Sequence, residues 1–267
     1  MTIKMIVTDL DGTFLRDDTT VSEYTKSVFS RCRNAGIKLA YATGRGSSAE
    51  RVTPQGLFDG KIIMNGTIAR IGDKIVYSRL IPHEIARKFL MACDLRGINI
   101  TSELTGMHYS NFTVSDFWPE ITTFQIVDFS QHKTDVENIF TLKPSPENRL
   151  FIEQSLPDEL YWVASADGPD DFLQIMHKDA TKSKAMMKLA EIWGIHQSEI
   201  VAFGNDFNDM DMLVYAGTGV AVANAVDEVK AAASQICDTN ENDGVAKWID
   251  ENLLIRKSCQ MKIAGIC

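Results

Sequence analysis

The chain has 267 residues, a formal net charge of -9 and a hydrophobic fraction of 45%. This length is sufficient for a large core with an inserted second domain. The acidic balance argues against nonspecific nucleic-acid binding, which needs a surplus of Lys and Arg. No apolar run approaches the roughly 18 residues of a membrane span, and the first strand begins too early for a signal peptide. Together with five widely spaced cysteines, these features predict a cytoplasmic protein with reduced thiols and no membrane or nucleic-acid partner.

The first element is a short apolar run over residues 5–7, which is followed by Asp9, Asp11 and a break at Gly12. The run is typical of a buried strand. Side chains two residues apart on a strand share a face, so we expect Asp9 and Asp11 to project together. Two such carboxylates repel each other unless a cation lies between them, and Mg²⁺ suits a site with few carboxylates. An ordinary Asp-Gly turn at a strand end is the alternative, and these residues alone leave it open.

The next elements predict a strand–helix–strand unit of a parallel sheet. A helix is expected from the N-cap Ser22 to about residue 35, and a strand over residues 37–42 leads into Thr43. This connectivity places Thr43 at the same sheet edge as Asp9, where its hydroxyl can contact a phosphoryl oxygen. A strand exit without a ligand is the alternative reading.

A further strand is predicted over residues 61–67, with a hairpin at residues 72–73 that runs to residue 81. Asn65 and Gly66 near its end are typical of a simple turn.

From Pro82 the pattern changes to an α+β layer, with several strands and about two helices. The predicted helices cover residues 84–95 and a segment that begins near 145–146. The predicted strands cover residues 98–101, 108–114, 122–129, 139–142, 161–164 and 172–176. We therefore predict an inserted domain over residues 82–181, between core segments 1–81 and 182–267.

The core pattern returns with a helix from Lys182 to Trp193, which Gly194 closes. A lysine in the first turn is unfavourable for the helix dipole, which indicates an anion nearby, although an ordinary surface lysine is equally compatible. The strand over residues 199–203 then leads into the polar segment 204–209. This segment is a candidate half of a cation site, or an N-cap cluster for the helix that follows.

Four segments, in this order, resemble the motifs of the haloacid dehalogenase-like (HAD) phosphohydrolases, in the form typical of the Cof-type branch. They are Asp9-Leu-Asp-Gly-Thr, Ala-Thr43-Gly-Arg, Lys182 and the segment 204–209. The resemblance implies a Rossmann-like parallel-sheet α/β core with an inserted type IIB α+β cap domain. It also implies that Asp9 is the nucleophile and Asp11 the general acid and base. Dehalogenases and cation pumps of this superfamily lack the second Asp, so Asp11 indicates a phosphatase or phosphomutase.

The resemblance further assigns the remaining site residues. It implies that Thr43, Gly44, Asn65, Lys182 and Asn208 contact the phosphate or substrate. It implies a Mg²⁺ site built from Asp9, Asp11, Asn205, Asp206 and Asp209, in which Asp209 supports the metal or the lysine. The fourth motif is usually Gly-Asp-x-x-Asn-Asp, and Asn205 stands where the family usually has the ligating Asp. Either Asn205 through its amide oxygen or Asp206 could therefore hold the metal.

The resemblance therefore predicts a Mg²⁺-dependent phosphatase for small phosphorylated metabolites, above all sugar phosphates, that works through an aspartyl phosphate. The alternatives are a phosphomutase, which would return the phosphoryl group to the substrate, and a noncatalytic sensor of a phosphorylated ligand. The cap should close over the substrate and supply specificity contacts. Candidates are His108, Tyr109, His177 and Lys178, for which an ordinary surface or core role is the alternative. The pattern leaves the oligomeric state open.

Overall fold

A computed structural model of the chain describes residues 2–164 and 172–255, and the chain divides into two compact units. The larger unit combines residues up to Tyr77 with those from Thr181 onward, and the inserted unit covers Ser78–Ala180. The predicted boundaries lie after residues 81 and 181. The C-terminal tail from residue 256, for which the sequence shows no functional pattern, lies outside the described residues.

The larger unit is built on an eight-stranded sheet with the order β14-β13-β12-β1-β2-β3-β4-β5. Its strands are β1 (Met5–Thr8), β2 (Lys38–Ala42), β3 (Gly60–Ile63), β4 (Ile68–Ile71), β5 (Lys74–Ser78), β12 (Ile200–Gly204), β13 (Thr218–Val222) and β14 (Gln235–Cys237). Strands β14 to β3 pair in parallel, and β4 pairs antiparallel with β3. The helices are α1 (Glu23–Asn34), α2 (Ala49–Val52), α5 (Lys182–Trp193), α6 (Met210–Tyr215), α7 (Asp227–Ala232) and α8 (Gly244–Ile249).

The central strands lie in the middle of the hydrophobic core. All four residues of β1 and all five of β12 are buried, as expected for parallel strands that are covered on both faces. Helix α1 begins where the sequence predicts, because the Ser22 hydroxyl accepts a hydrogen bond from the N–H of Thr25 at 3.0 Å. The parallel α/β core is therefore confirmed.

The predicted strand over residues 61–67 is wrong in its second half. Strand β3 ends at Ile63, and a tight turn follows in which Met64 and Asn65 adopt positive φ angles of 52° and 53°. The turn brings Gly66 against the start of α5, where a Cβ at this position would lie 2.2 Å from the carbonyl of Thr181. A β-strand cannot make this approach, so the packing of α5 overrides the β-propensity of the apolar run.

The inserted unit has a six-stranded sheet with the order β10-β11-β9-β6-β7-β8. Its strands are β6 (Ile100–Leu104), β7 (Met107–Ser110), β8 (Phe124–Ile126), β9 (Asn138–Leu142), β10 (Leu160–Ala164) and β11 (Phe172–His177). Its helices are α3 (His83–Asp94) and α4 (Pro146–Ser155), which share a hydrophobic core with Ile100, Ile139 and Ile175. The α+β insertion is confirmed, but the predicted strand 108–114 is too long. It ends at Ser110, and Val114 begins a separate short turn.

Two further sequence features concern thiols and membranes. Cys32, Cys93 and Cys237 form no disulfide bond among the described residues. Within residues 2–164 and 172–255, every helix is too short or too polar to cross a bilayer.

Candidate active site

Three polar residues of the larger unit follow the carboxyl ends of adjacent parallel strands. Asp9 follows β1, Thr43 follows β2, and Asn205 follows β12. Thr8 is paired with Tyr41 on one side and Phe203 on the other, so these strands end at the same level of the sheet. Ligands of open α/β sheets bind at this edge.

Lys182 connects two buried carboxylates at this edge. It lies in the first turn of α5 with an exposed fraction of 1%. Its Nζ donates to Asp9 Oδ1 at 2.7 Å and to Asp209 Oδ1 at 2.6 Å. The second oxygen of Asp209 accepts from the backbone N–H of Asn205 at 2.9 Å and of Asp206 at 3.1 Å. Asp209 therefore connects the lysine to the loop after β12.

Burial and the charges of neighbouring side chains together set the pKa values of Asp9 and Lys182. Burial and the nearby Asp209 carboxylate raise the pKa of Asp9 to about 7, against the opposing effect of the Lys182 ammonium. Burial alone would lower the pKa of Lys182, but Asp209 and Asp9 outweigh it and the net direction is upward. The lysine therefore stays charged, and Asp9 is poised between its two protonation states near neutral pH.

A glycine provides the space for Asp209. A Cβ at position 204 would lie 2.4 Å from the Cβ and 2.6 Å from the carboxyl carbon of Asp209. Contacts this short are forbidden, so only glycine at 204 lets Asp209 reach Lys182 from the following turn. The glycine at the start of the fourth motif thus has a packing explanation.

Asp11 does not share the environment of Asp9. Its carboxylate forms a bidentate ion pair with Arg45, in which Nε donates to Oδ2 at 2.7 Å and Nη2 donates to Oδ1 at 2.6 Å. The Asp11 side chain is 39% exposed. Strand β1 ends at Thr8, so the two carboxylates do not lie on one strand as the sequence predicts. Asp11 is nevertheless close enough for its charge to add to the raised pKa of Asp9.

The structure separates the positions of Asn205 and Asp206. One end of the Asn205 amide lies 2.9 Å from Thr13 Oγ1, and 3.2 Å from both Asp9 Oδ2 and the carbonyl oxygen of Asp11. The carboxylate of Asp206 instead caps the following turn and accepts from the N–H of Phe207 at 2.7 Å. Of the two, Asn205 is the residue whose side chain lies against Asp9.

The atoms around Asn205 fit a Mg²⁺ ion. With its oxygen turned inward, the amide would face the carboxylate oxygen of Asp9 and the carbonyl oxygen of Asp11 at 3.2 Å each. Adjacent ligands of an octahedral Mg²⁺ lie about 3 Å apart, since each Mg–O bond is about 2.1 Å long. Among the described residues, no three His, Cys, Asp or Glu side chains form a metal cluster. The three groups around Asn205 are one carboxylate, one backbone carbonyl and one amide. Only one of them is a His, Cys, Asp or Glu side chain, so they do not count as such a cluster.

The remaining sequence candidates of the larger unit lie in three segments, after β2, after β3 and before α6. Thr43 is 1% exposed, and its Oγ1 accepts from the N–H of Arg45 at 3.1 Å. The N–H of Asn65 donates to the carbonyl of Thr43, and the Asn65 side chain accepts from Asn208 Nδ2 at 2.8 Å. A Cβ at Gly44 would lie 3.4 Å from that Asn65 side chain. Hydrogen bonds therefore connect the loop after β2 to the turn before α6.

The candidates of the inserted unit divide between different environments. His108 is 5% exposed, its Nδ1 has no hydrogen-bond partner among the described residues, and burial lowers its pKa to about 4. Tyr109 is the next residue on the strand and therefore points to the opposite face of the sheet, where its ring packs against His132. The ring of His177 accepts from the N–H of Asp179 at 3.0 Å, and Lys178 donates its N–H to the carbonyl of Glu159. His177 and Lys178 are thus engaged in a local turn and backbone pairing.

Sequence reasoning missed two side chains at the edge of the larger sheet, Arg45 and Thr13. Both lie inside motifs that the sequence singled out. A signal for Arg45 was present, because an arginine directly after a Thr-Gly strand exit can form a planar fork to a carboxylate. Thr13 gives no comparable signal, because only the position of Asn205 shows what its hydroxyl contacts.

Comparison with known proteins agrees with this geometry. The profile of the haloacid dehalogenase-like hydrolases matches residues 6–249. The 5-amino-6-(5-phospho-D-ribitylamino)uracil phosphatase YitU of Bacillus subtilis is 27% identical, over 92% of this chain and 96% of its own. The phosphatase YbjI of Escherichia coli, named for the same compound, is 26% identical over 95% of this chain and 97% of its own.

Solved structures give the same result. A phosphatase of the haloalkanoate (HAD) enzyme superfamily from Bacteroides thetaiotaomicron superposes with a TM-score of 0.77 and 25% identity, over 94% of this chain and 95% of its own. A subclass IIB sugar phosphatase has a TM-score of 0.75 at 24% identity, over 99% of this chain and 100% of its own, which shows a shared fold. The fold is a parallel-sheet α/β core with an inserted α+β unit, and the matching profile is that of a hydrolase family. The chain belongs to the haloacid dehalogenase-like hydrolases, as its Cof-type motifs indicate, and its relatives are named phosphatases.

Proposed function

We propose that the protein is a Mg²⁺-dependent phosphatase that hydrolyses small phosphorylated metabolites, principally sugar phosphates, through an aspartyl phosphate on Asp9. The observation that carries this proposal is the buried Asp9 carboxylate. One of its oxygens is held by Lys182 and the other faces the Asn205 amide, at the carboxyl edge of the central strand. A carboxylate held in this way is oriented for in-line attack on phosphorus.

In the first step, an oxygen of Asp9 attacks phosphorus and the bond from phosphorus to the ester oxygen breaks. The Asp11 carboxylic acid donates its proton to the departing oxygen, so the product leaves as an alcohol. The ammonium of Lys182 stays charged and offsets the negative charge on the phosphoryl oxygens, since its pKa is shifted upward by Asp209 and Asp9. Thr43 and Asn208 provide neutral hydrogen-bonding groups at the same edge.

In the second step, water attacks the phosphorus of the aspartyl phosphate. The Asp11 carboxylate takes a proton from that water, and the bond between phosphorus and the Asp9 oxygen breaks. Inorganic phosphate is released, and Asp9 and Asp11 return to their starting states. Splitting one displacement into two lets the same pair of carboxyl groups serve both halves.

Asp9, the carbonyl of Asp11 and the Asn205 side chain would hold the Mg²⁺ ion. When bound, the ion supplies positive charge between the nucleophile and the phosphoryl group. Asp206 and Asp209 act indirectly in this assignment, because Asp206 caps the following turn and Asp209 accepts from two backbone N–H groups and from Lys182.

The substrate class is supported by what the relatives are named for. One solved relative is a sugar phosphatase, and two curated relatives are named for a phosphate ester on a ribityl chain. Both substrates carry the phosphate on a polyhydroxylated carbon chain. Phosphorylated sugars and sugar alcohols are therefore the compounds to test first, and the protein's partners are small molecules.

The test is phosphate release from an aryl phosphate and a panel of phosphorylated sugars and sugar alcohols, with Mg²⁺ or with a chelator. We expect metal-dependent release, and Asp9→Asn should abolish it while the protein stays folded. Substantial activity of purified Asp9→Asn would contradict the role of Asp9. Transfer of the phosphoryl group between substrate positions without free phosphate would favour a mutase, and ligand binding without turnover would favour a sensor.

A further inference from the structure

The ion pair between Arg45 and Asp11 has two hydrogen bonds and is partly buried, unlike an ordinary single contact between exposed side chains. Both oxygens of Asp11 accept from the guanidinium, at 2.6 Å and 2.7 Å, which is the short end of charge-assisted hydrogen bonds. The two side chains are 28% and 39% exposed, so water competes for them only in part. A bidentate fork fixes the plane of a carboxylate as well as its distance.

The backbone of Arg45 is also held on both sides. Its N–H donates to Thr43 Oγ1 at 3.1 Å, and its carbonyl accepts from the N–H of Met64 at 2.9 Å. The arginine therefore projects from a loop that is fastened to the strand end carrying Thr43. Asp11 lies in a segment with irregular backbone angles next to Gly12, which has φ of 69°. Hydrogen bonds hold this segment too, because the Gly12 carbonyl accepts from Asn224 Nδ2 at 2.8 Å. Both side chains of the pair therefore project from backbone that is held in place, and the fork sets the direction of the Asp11 carboxylate.

We propose that Arg45 is a positioning residue that orients the Asp11 carboxyl group for proton transfer to the leaving oxygen. This inference rests on the proposed function, which makes Asp11 the general acid and base. A carboxylate has about four lone-pair sites, and the fork uses one on each oxygen, so each oxygen keeps a site for a proton or a substrate hydrogen bond. Without the fork, the partly exposed Asp11 side chain would sample other rotamers.

This role predicts a dependence on the leaving group that a structural role would not show. An alkyl phosphate releases a strongly basic alkoxide that needs a proton in the transition state. An aryl phosphate such as 4-nitrophenyl phosphate releases a stabilised phenolate that needs little help. General acid catalysis contributes about 10²- to 10⁴-fold, so losing the orientation of Asp11 should affect the alkyl substrate selectively.

The experiment compares kcat/KM for a sugar phosphate and 4-nitrophenyl phosphate in wild type, Arg45→Gln and Arg45→Lys. We expect Arg45→Gln to lower kcat/KM about 10- to 100-fold for the sugar phosphate and less than about 3-fold for the aryl phosphate. Arg45→Lys should restore part of the loss, because a lysine keeps the charge but cannot form the fork. It also keeps the test open if the glutamine variant does not fold.

The matched control is Arg16→Gln, which breaks an ion pair of similar exposure between Arg16 and Asp243, at 3.0 Å in the same unit. It should leave both kcat/KM values unchanged. Equal losses on both substrates in the Arg45 variants, or no loss on the sugar phosphate, would overturn the inference while the proposed function stands. A folded wild-type protein that releases phosphate from neither substrate would overturn the proposed function and this inference with it.

Discussion

Replacing Lys182 by methionine tests whether the lysine neutralises the two buried carboxylates. Methionine has a similar length and keeps most of the packing, but it removes the ammonium that contacts both Asp9 and Asp209. These carboxylates are 6% and 0% exposed. Removing one partner of a buried ion pair typically costs about 3–5 kcal/mol, because the remaining charge is left uncompensated. We expect about 3 kcal/mol, since Asp9 can take up a proton.

The pH dependence follows from the direction of the Asp9 shift. Its pKa is raised to about 7 from an ordinary value of 3.8. The native protein therefore holds a proton that the unfolded chain releases, and stability falls as the pH rises between these values. Lys182→Met removes the group that opposes this shift. The loss of stability should be larger at about pH 8 than at about pH 5.5, where one carboxyl is protonated.

The assay is scanning calorimetry of the metal-free protein at both pH values. For a unit of this size, about 3 kcal/mol lowers Tm by about 6–12 °C. The control is Lys188→Met on the same helix, where Lys188 pairs with Glu191 and their side chains are 37% and 69% exposed. Such a pair contributes about 0–1 kcal/mol, so the control should change little. A Lys182→Met shift no larger than the control, or one that is equal at both pH values, would refute the reasoning.

Three further predictions test other parts of the structure. Gly66→Ala should lower Tm strongly, because its Cβ would lie 2.2 Å from backbone atoms of Thr181, whereas Gly72→Ala, with φ of 57° and open space, should cost only about 1 kcal/mol of backbone strain. Burial raises the pKa of Glu103 to about 7, so the inserted unit should lose stability as pH rises from about 4.5 to about 7, and Glu103→Gln should remove that dependence in calorimetry. Asn205→Asp should bind Mg²⁺ at least about tenfold more tightly by titration calorimetry but be less stable in chelator, since a second carboxylate would face the first.

The fold was largely predictable because its strands are buried. Runs such as residues 5–7 and 200–203 are continuous and apolar, which is the pattern of parallel strands that are covered on both faces. The helix of Ser22 could be placed to within a residue, because its N-cap follows a local rule. The predicted strand failed at residues 64–66, where packing against a distant segment determines the backbone conformation. There the turn is fitted to the start of α5.

The sequence predicts which residues lie at the strand edge, but not which side chains contact each other there. Strand ends brought Asp9, Thr43 and Asn205 to one edge, as parallel topology requires. The choice between Asn205 and Asp206 needed side-chain directions, although the Asp206-x-x-Asp209 spacing already resembled a capping pair. The position of Arg45 after the strand exit was a signal for a carboxylate partner, but the partner Asp11 lies 34 positions away and the local pattern does not identify it.

The charges at the strand edge connect the acidic composition to the proposed function. When all are ionised, Asp9, Asp11 and Asp209 outnumber Lys182 and Arg45 by one, so the edge repels an anion and attracts a cation. A bound divalent cation would change the net charge of the edge from negative to positive. In the proposed function, attraction of the phosphate therefore depends on the metal site and Lys182, and the overall charge of -9 opposes it at long range. In the proposed function, the burial of Lys182 also favours its attraction for the phosphoryl group, because a charge shielded from water is screened less than an exposed one.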